Sequence, residues 1–210
     1  MSKFYAVVKG KSGDNKIYRT WDQCKAEVIG FKGAIYKSFK DEKDALDFLN
    51  IYDKNKEEVK EDNIEGIYSK DNEEVRIYVD GSYNVNTEKY SYGLVAILGD
   101  EVIHEDKGVG EEKEAATMRN VAGEVLGAIK AMDFLEDNGY TKGAIYFDYQ
   151  GIESWALGLW KRNNFLTQRY HEFMKEKMKK TRIKFVKVKG HSGDLYNDRA
   201  DKLAKEALNI

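Results

Sequence analysis

One cysteine in 210 residues, Cys24, excludes a disulfide framework and fits a reducing compartment. Histidine is almost as scarce. His104, His171 and His191 are scattered, so no Cys/His set has the spacing of a zinc site. No stretch approaches the roughly 18 uninterrupted apolar residues that cross a bilayer, so no membrane span is expected. The opening Met1-Ser2-Lys3-Phe4-Tyr5 enters strand-like sequence without a secretory apolar run, and a cytoplasmic location is expected. Proline is absent altogether, and composition offers no physical account of that. Repeats and low-complexity tracts are also missing.

What is present suits a domain of ordinary size plus a small one. Hydrophobic residues make up 41%, enough for a packed core, and 34% charge gives a heavily solvated surface. The net charge of −2 is unevenly spread: residues 1–50 hold ten Lys/Arg against seven Asp/Glu, about +3, leaving about −5 for the rest. A basic head on an acidic body suits a binding module joined to something that needs carboxylates.

The chain's organising stretch is Arg76-Ile77-Tyr78-Val79-Asp80-Gly81-Ser82, where Ile77 and Val79 alternate with Arg76 and Tyr78 as in a half-buried strand. The strand is expected to end at Asp80, its carboxylate at the sheet's rim, with Gly81 turning the chain away or admitting a ligand. Asp-Gly after a strand is by itself most often a turn.

In residues 1–50, three strands (4–8, 17–21 and 34–39) and two helices (through 25–29 and over 41–49) are expected. Thr20 or Asp22 is placed to cap the first helix. Tyr5, Trp21 and Tyr36 lie beside lysines, a combination able to cover sugar faces while cations meet phosphates. Composition favours the plainer reading of core aromatics with scattered surface lysines. Residues 51–74 are rich in Lys, Glu, Asp and Asn and read as a solvated linker.

From residue 75 to 210 a second domain is expected. Its strands are 76–80, 90–98, 102–107, 144–148 and 183–188, with Gly99-Asp100 as a hairpin turn. Met118, Val121, Val125, Ile129, Met132 and Leu135 recur every three or four residues, which predicts one helix over 114–137 ended by Gly139. Helices are also expected over 151–159, 167–179 and 195–208. The order is that of an α/β domain: a five-stranded mixed sheet flanked by helices, its antiparallel hairpin extended by parallel strands through helical crossovers.

Two of these strands end on carboxylates, Asp80 and Asp148, and crossover topology makes them adjacent and parallel. Glu124 sits at the margin of the long helix's apolar stripe, between Gly123 and Gly127. Each glycine costs about 1 kcal/mol of helix stability against alanine, so close approach by the sheet or a ligand is the expected reason for them. On the last helix Asp198, Arg199, Asp201 and Lys202 are candidates to complete a cluster. Two carboxylates about 4 Å apart repel by roughly 4 kcal/mol at an effective dielectric near 20. Three or four converge only if cations neutralise them or some stay protonated. All-oxygen donors point to magnesium or manganese. With 37 acidic residues in the chain, chance placement competes with this reading.

Tyr78-Val79-Asp80-Gly81-Ser82, Asn120-Val121-Ala122-Gly123-Glu124, Tyr146-Phe147-Asp148 and Val188-Lys189-Gly190-His191-Ser192-Gly193, followed by Asn197-Asp198-Arg199-Ala200-Asp201, together resemble the type 1 branch of the ribonuclease H family. The likeness covers residues 75–208, with the motifs in the family's order. Residues 3–50, with Phe4-Tyr5-Ala6-Val7, Thr20-Trp21, Cys24 and Tyr36-Lys37-Ser38-Phe39, resemble the small hybrid-binding domain that precedes many such enzymes.

The resemblance implies an endonuclease cutting the RNA strand of RNA–DNA hybrids, leaving 5′-phosphate and 3′-hydroxyl ends. It implies two Mg2+ ions per site, or Mn2+, held by Asp80, Glu124, Asp148 and Asp201 rather than Asp198. His191 matches the family's mobile-loop histidine, which assists departure of product or metal. Asn86 and Asn120 match contacts to the hybrid's minor groove, and Tyr5, Trp21, Tyr36 and Lys37 match the head domain's contacts. Arg119 stands where many relatives carry a threonine in a DNA-phosphate pocket. The stretch from Asp148 to His191 is too short for the basic protruding helix of some members, with Lys161-Arg162-Asn163-Asn164 in its place. Ser38 replaces the second of two adjacent lysines, so weaker hybrid binding is expected. No obligate protein partner is implied, and a monomer is expected. A non-catalytic hybrid-binding protein, or a DNA-acting relative of the same fold, is the alternative that a cleavage assay separates.

Overall fold

The computed structural model describes residues 3–31, 34–54, 74–190 and 193–210. These fall into two compact units, one within residues 1–65 and the other within 66–210.

The first unit holds β1 (Phe4–Gly10), β2 (Gly13–Tyr18), α1 (Trp21–Val28), β3 (Ile35–Phe39) and α2 (Glu42–Lys54). The sheet is antiparallel in the order β2-β1-β3. Val7 packs with Cys24 and Val28 of α1, with Tyr5 and Tyr18 against them, and α2 also packs on β1. Three expectations need correction. The second strand lies at Gly13–Tyr18 rather than 17–21, because Gly13, at φ +108°, places the tight turn earlier. Trp21 therefore opens α1 instead of closing a strand, and Thr20 caps the helix by accepting from the Gln23 N–H at 3.4 Å. Helix α2 runs past residue 49 to Lys54, so the expected linker begins inside it. The rest of that linker, 55–73, lies outside the described residues.

The second unit holds β4 (Val75–Asn84), β5 (Lys89–Leu98), β6 (Glu101–Val109), α3 (Lys113–Ala116), α4 (Asn120–Asp137), β7 (Lys142–Phe147), α5 (Gly151–Ala156), α6 (Phe165–Lys177), β8 (Arg182–Lys187) and α7 (Leu195–Ala207). Its five strands order as β6-β5-β4-β7-β8, antiparallel across β6, β5 and β4 and parallel across β4, β7 and β8. The strand period of two sorts β4 between two cores. Ile77 and Val79 join Leu94, Val125, Ala128 and Met132 beneath α4, while Tyr78 joins Val95, Ala200 and Leu203 beneath α7.

Three expectations fail here, and all bear on the site. β4 does not end at Asp80: it stays paired with β5 as far as Asn84↔Lys89. What stops early is its parallel pairing with β7, whose last pair is Tyr78↔Tyr146. Asp80 thus sits on a continuous strand just beyond the point where the β4–β7 ladder has ended. Gly81 is a contact residue and not a turn, since a Cβ there would collide with the Asn120 carbonyl and the Glu124 amide of α4. The single helix expected over 114–137 is broken into α3 and α4, because Arg119 takes φ +54°, ψ −130°, a region that L residues avoid.

Candidate active site

Glycine brings α4 down onto the sheet. A Cβ on Gly123 would overlap the Ser91 carbonyl, and one on Gly127 would come within 3.1 Å of Val79 Cβ. With no side chain between helix and sheet, Glu124 is carried to the place where β4 and β7 part. There Asp80, Glu124 and Asp148 present carboxylate oxygens within 4.8 Å of one another. Asp80 is 6% exposed and Glu124 2%. Asp80 Oδ1 accepts from the Gly81 N–H at 2.7 Å, which fixes its rotamer. Asp148 follows the last residue of β7. Gly190 lies against its carboxylate, where a Cβ would strike Oδ2, and the Lys187 ammonium donates to its backbone carbonyl.

Electrostatics follow from that convergence. Burial, then the charges of Asp148 and Asp80 and a hydrogen bond with Asp148, push the Glu124 carboxyl up to about 9, opposed only by the Tyr149 N–H. Glu124 Oε2 is buried with no hydrogen-bond partner among the described residues. An all-oxygen donor set with an orphaned buried oxygen and a proton retained against charge repulsion fits a hard divalent cation.

The structure treats the remaining expected site residues differently. Asp201, on α7, is not among the three converging carboxylates; the Lys205 ammonium one turn on donates to it at 2.7 Å. Asp198 is exposed on the same helix. Asn120 and Arg119 are both exposed at the start of α4, one turn before Glu124. Asn86 is exposed at the tip of the β4–β5 hairpin, where the Asn84 side chain accepts from its N–H at 2.9 Å. His191 lies outside the described residues. Between α5 and α6 the chain is short and non-helical: Trp160 packs edge-on against Tyr149 and Trp155, and Asn164 caps α6.

In the first unit, Trp21 lies between Tyr5 at 5.8 Å and Tyr36 at 6.0 Å, with Trp21 40% and Tyr36 43% exposed. Lys37 does not join them. Strand alternation turns it to the other face of the sheet, over the Phe39 and Phe48 rings at 5.5 and 6.0 Å. Reading the sequence missed Gly190 and Lys187 as supports of Asp148, and it missed Asn197, which is 1% exposed on α7. Gly190 and Asn197 both lie in the motifs of the family resemblance, where a glycine beside a histidine and an asparagine beside acidic residues give no sequence signal of close contact or burial.

Comparison with known proteins matches residues 3–49 to the family model of the ribonuclease H1 N-terminal domain and residues 72–209 to that of RNase H. The ribonuclease H of Clostridium botulinum is 30% identical over 144 residues, covering 64% of this chain and 95% of that protein. Ribonuclease H1 of Homo sapiens is 24% identical over 255 residues, covering 97% of this chain and 88% of that one. The crystal structure of RNase H1 from the halophilic archaeon Halobacterium salinarum aligns with a TM-score of 0.56 at 25% identity, over 65% of this chain and 98% of that one.

Proposed function

The chain belongs to the ribonuclease H family, and from that premise we propose an endonuclease that hydrolyses the RNA strand of RNA–DNA hybrids, leaving 5′-phosphate and 3′-hydroxyl ends. The observation that carries this reading is the convergence of Asp80, Glu124 and Asp148 from three separate elements. Residues 75–210 are the catalytic domain, residues 1–50 the hybrid-binding domain, and the stretch between them the linker.

Asp80, Glu124, Asp148 and, from α7, Asp201 would hold the metal. Bound there, two Mg2+ or Mn2+ ions would supply an activated water and offset charge on the leaving oxygen. Water adds to phosphorus, the P–O3′ bond breaks, and the 3′ oxygen takes up a proton. Asp80 would be a ligand whose carboxylate is pre-set by the hydrogen bond it accepts from the Gly81 N–H. Glu124 would hold the cation as a carboxylate, having released the proton that burial keeps on it. Asn120 and Asn86 can both donate and accept, as contact with a 2′-hydroxyl in the wide minor groove requires. The Arg119 guanidinium meets a phosphate of the DNA strand, and His191 assists product departure. In the head domain Tyr5, Trp21 and Tyr36 offer the stacking face, while Lys37, on the opposite face, acts only through long-range charge. A cytoplasmic monomer is part of the proposal, supported by a lone buried cysteine suited to a reducing compartment.

The test is Mg2+-dependent cleavage of an end-labelled hybrid beside duplex DNA and a chimera with a few ribonucleotides. Hybrid and chimera are expected to be cut and duplex DNA spared, with Asp80→Asn slower by about a thousandfold. An Asp80→Asn protein cutting at the wild-type rate overturns the proposal. Tight hybrid binding without any turnover would leave the non-catalytic alternative standing.

A further inference from the structure

Helix α7 carries three polar side chains at one-turn intervals, Asn197, Asp201 and Lys205, and this spacing places them along one stripe. Lys205 Nζ donates to Asp201 Oδ2 at 2.7 Å. Of the other cations near this stripe, Arg199 pairs with Glu105 and Glu206, Lys107 pairs with Glu206, and Lys202 is exposed. At the other end of the stripe Asn197 is 1% exposed, yet neither its amide nitrogen nor its oxygen has a hydrogen-bond partner among the described residues. Buried amides are nearly always paired, and the polar side chain one turn away on this helix is Asp201. Asp201 is therefore held by an ammonium one turn after it, and an unpaired donor stands one turn before it on the same stripe.

We propose that Asp201 has two positions, one held by Lys205 and one in which Asn197 Nδ2 donates to it while it joins Asp80, Glu124 and Asp148 in binding the divalent ion. Lys205 and Asn197 are thus positioning residues that set ion affinity from opposite sides. The inference rests on the reading of Asp201 as the fourth ligand. The Asp–Lys pair has the favourable order on a helix but is partly exposed, and pairs of this kind are weak. A dication with three carboxylates already gathered competes successfully for the fourth. Lys205 opposes that move, and Asn197 rewards it.

The full chain without nucleic acid is titrated with Mn2+ alone, free ion being counted by electron paramagnetic resonance. Lys205→Gln is expected to lower the dissociation constant about two- to fivefold, and Lys205→Arg to leave it unchanged. Lys202→Gln, which removes the same charge from an exposed position on α7, should change it by clearly less. Asn197→Leu should raise the constant about tenfold, the usual scale for a residue that orients a ligand. Its ion-free melting temperature should hold or rise, because an unpaired buried amide is removed. Equal gains from Lys202→Gln and Lys205→Gln would reduce the effect to general charge and overturn the exchange. So would unchanged affinity in either Lys205→Gln or Asn197→Leu. Lys205→Gln is a surface change and stays informative if Asn197→Leu folds poorly. Failure of the underlying reading looks different: Asp201→Asn would then take up Mn2+ as the wild type does.

Discussion

Glu124 holds a carboxyl at 2% exposure with Asp80 and Asp148 inside 4.8 Å, and its pKa stands near 9 against an ordinary 4.5. Between those values the unfolded chain has released this proton and the folded chain has kept it. The folded state then binds more protons, so stability falls as pH rises. Glu124 thus contributes fully below about 4.5, and its contribution is lost progressively up to about 9. Glu124→Gln keeps the shape and removes the titration. In EDTA at pH 8 it should be more stable than the wild type by about 1–3 kcal/mol, with the gap closing towards pH 4, while cleavage is lost. Thermal melts across that range check the sign, and a wild type equally stable at both ends would contradict it. Arg119 offers a second test of the same tension. Its φ of +54° costs about 1–3 kcal/mol for a residue with a Cβ, and glycine relieves this at an unfolded-state entropy penalty of about 0.5–1 kcal/mol. Arg119→Gly should therefore melt at the wild-type temperature or a few degrees above it. Its KM for hybrid should rise roughly three- to tenfold through loss of the proposed phosphate contact. A lower melting temperature would show that the guanidinium, and not the substrate, maintains that backbone.

At the scale of elements, the contact of α4 with β4 and β5 decides where the carboxylates meet, and glycine makes that contact. Gly123→Ala drives a methyl into the Ser91 carbonyl, so α4 must lift. A loss of about 2–3 kcal/mol is expected, together with a fall in kcat as Glu124 moves. Gly127→Ala meets only Val79 Cβ at 3.1 Å and gains about 1 kcal/mol of helix propensity, so it should be close to neutral. Denaturant melts and single-turnover cleavage of the two variants separate the cases. The same contact shows which features could be read from the chain. The mixed sheet and the three converging carboxylates are legible, because period-two runs stop near Asp80 and Asp148 and Glu124 sits between glycines that propensity does not explain, whereas Asp201 enters only through the family resemblance and stays outside that convergence. Gly81 was misread as a turn, since a glycine after aspartate looks the same whether the chain bends there or a helix presses on it. The break at Arg119 left no trace either. Met118, Val121 and Val125 keep the helical period across it, and arginine is itself a good helix former. Trp21 was assigned to a strand because the glycine turn that sets the register of β2 lies upstream of the residues that carry the pattern.

Taken whole, the chain joins a basic head of about +3 to a body of about −5. The active-site carboxylates repel a polyanion until cations are bound, whereas the head attracts it from the start. In the proposed function its exposed Trp21, flanked by Tyr5 and Tyr36, would give that attraction a surface on which sugars and bases rest. On the proposed division of labour, the linker would convert this first encounter into a raised local concentration of hybrid at the catalytic domain. The second unit has its own core and the full set of candidate ligands, so removal of residues 1–50 should spare the chemical step. KM should rise by about tenfold or more, kcat at saturating hybrid should stay within about twofold, and the dependence of KM on salt should become shallower as phosphate contacts are lost. Trp21→Ala in the full chain should raise KM by a smaller factor and leave the salt slope near that of the wild type, because it removes stacking but no charge. Steady-state cleavage at several KCl concentrations distinguishes the two effects. If kcat at saturation fell by orders of magnitude on deletion, the head would have to take part in the reaction itself, and the division between capture and chemistry would be wrong.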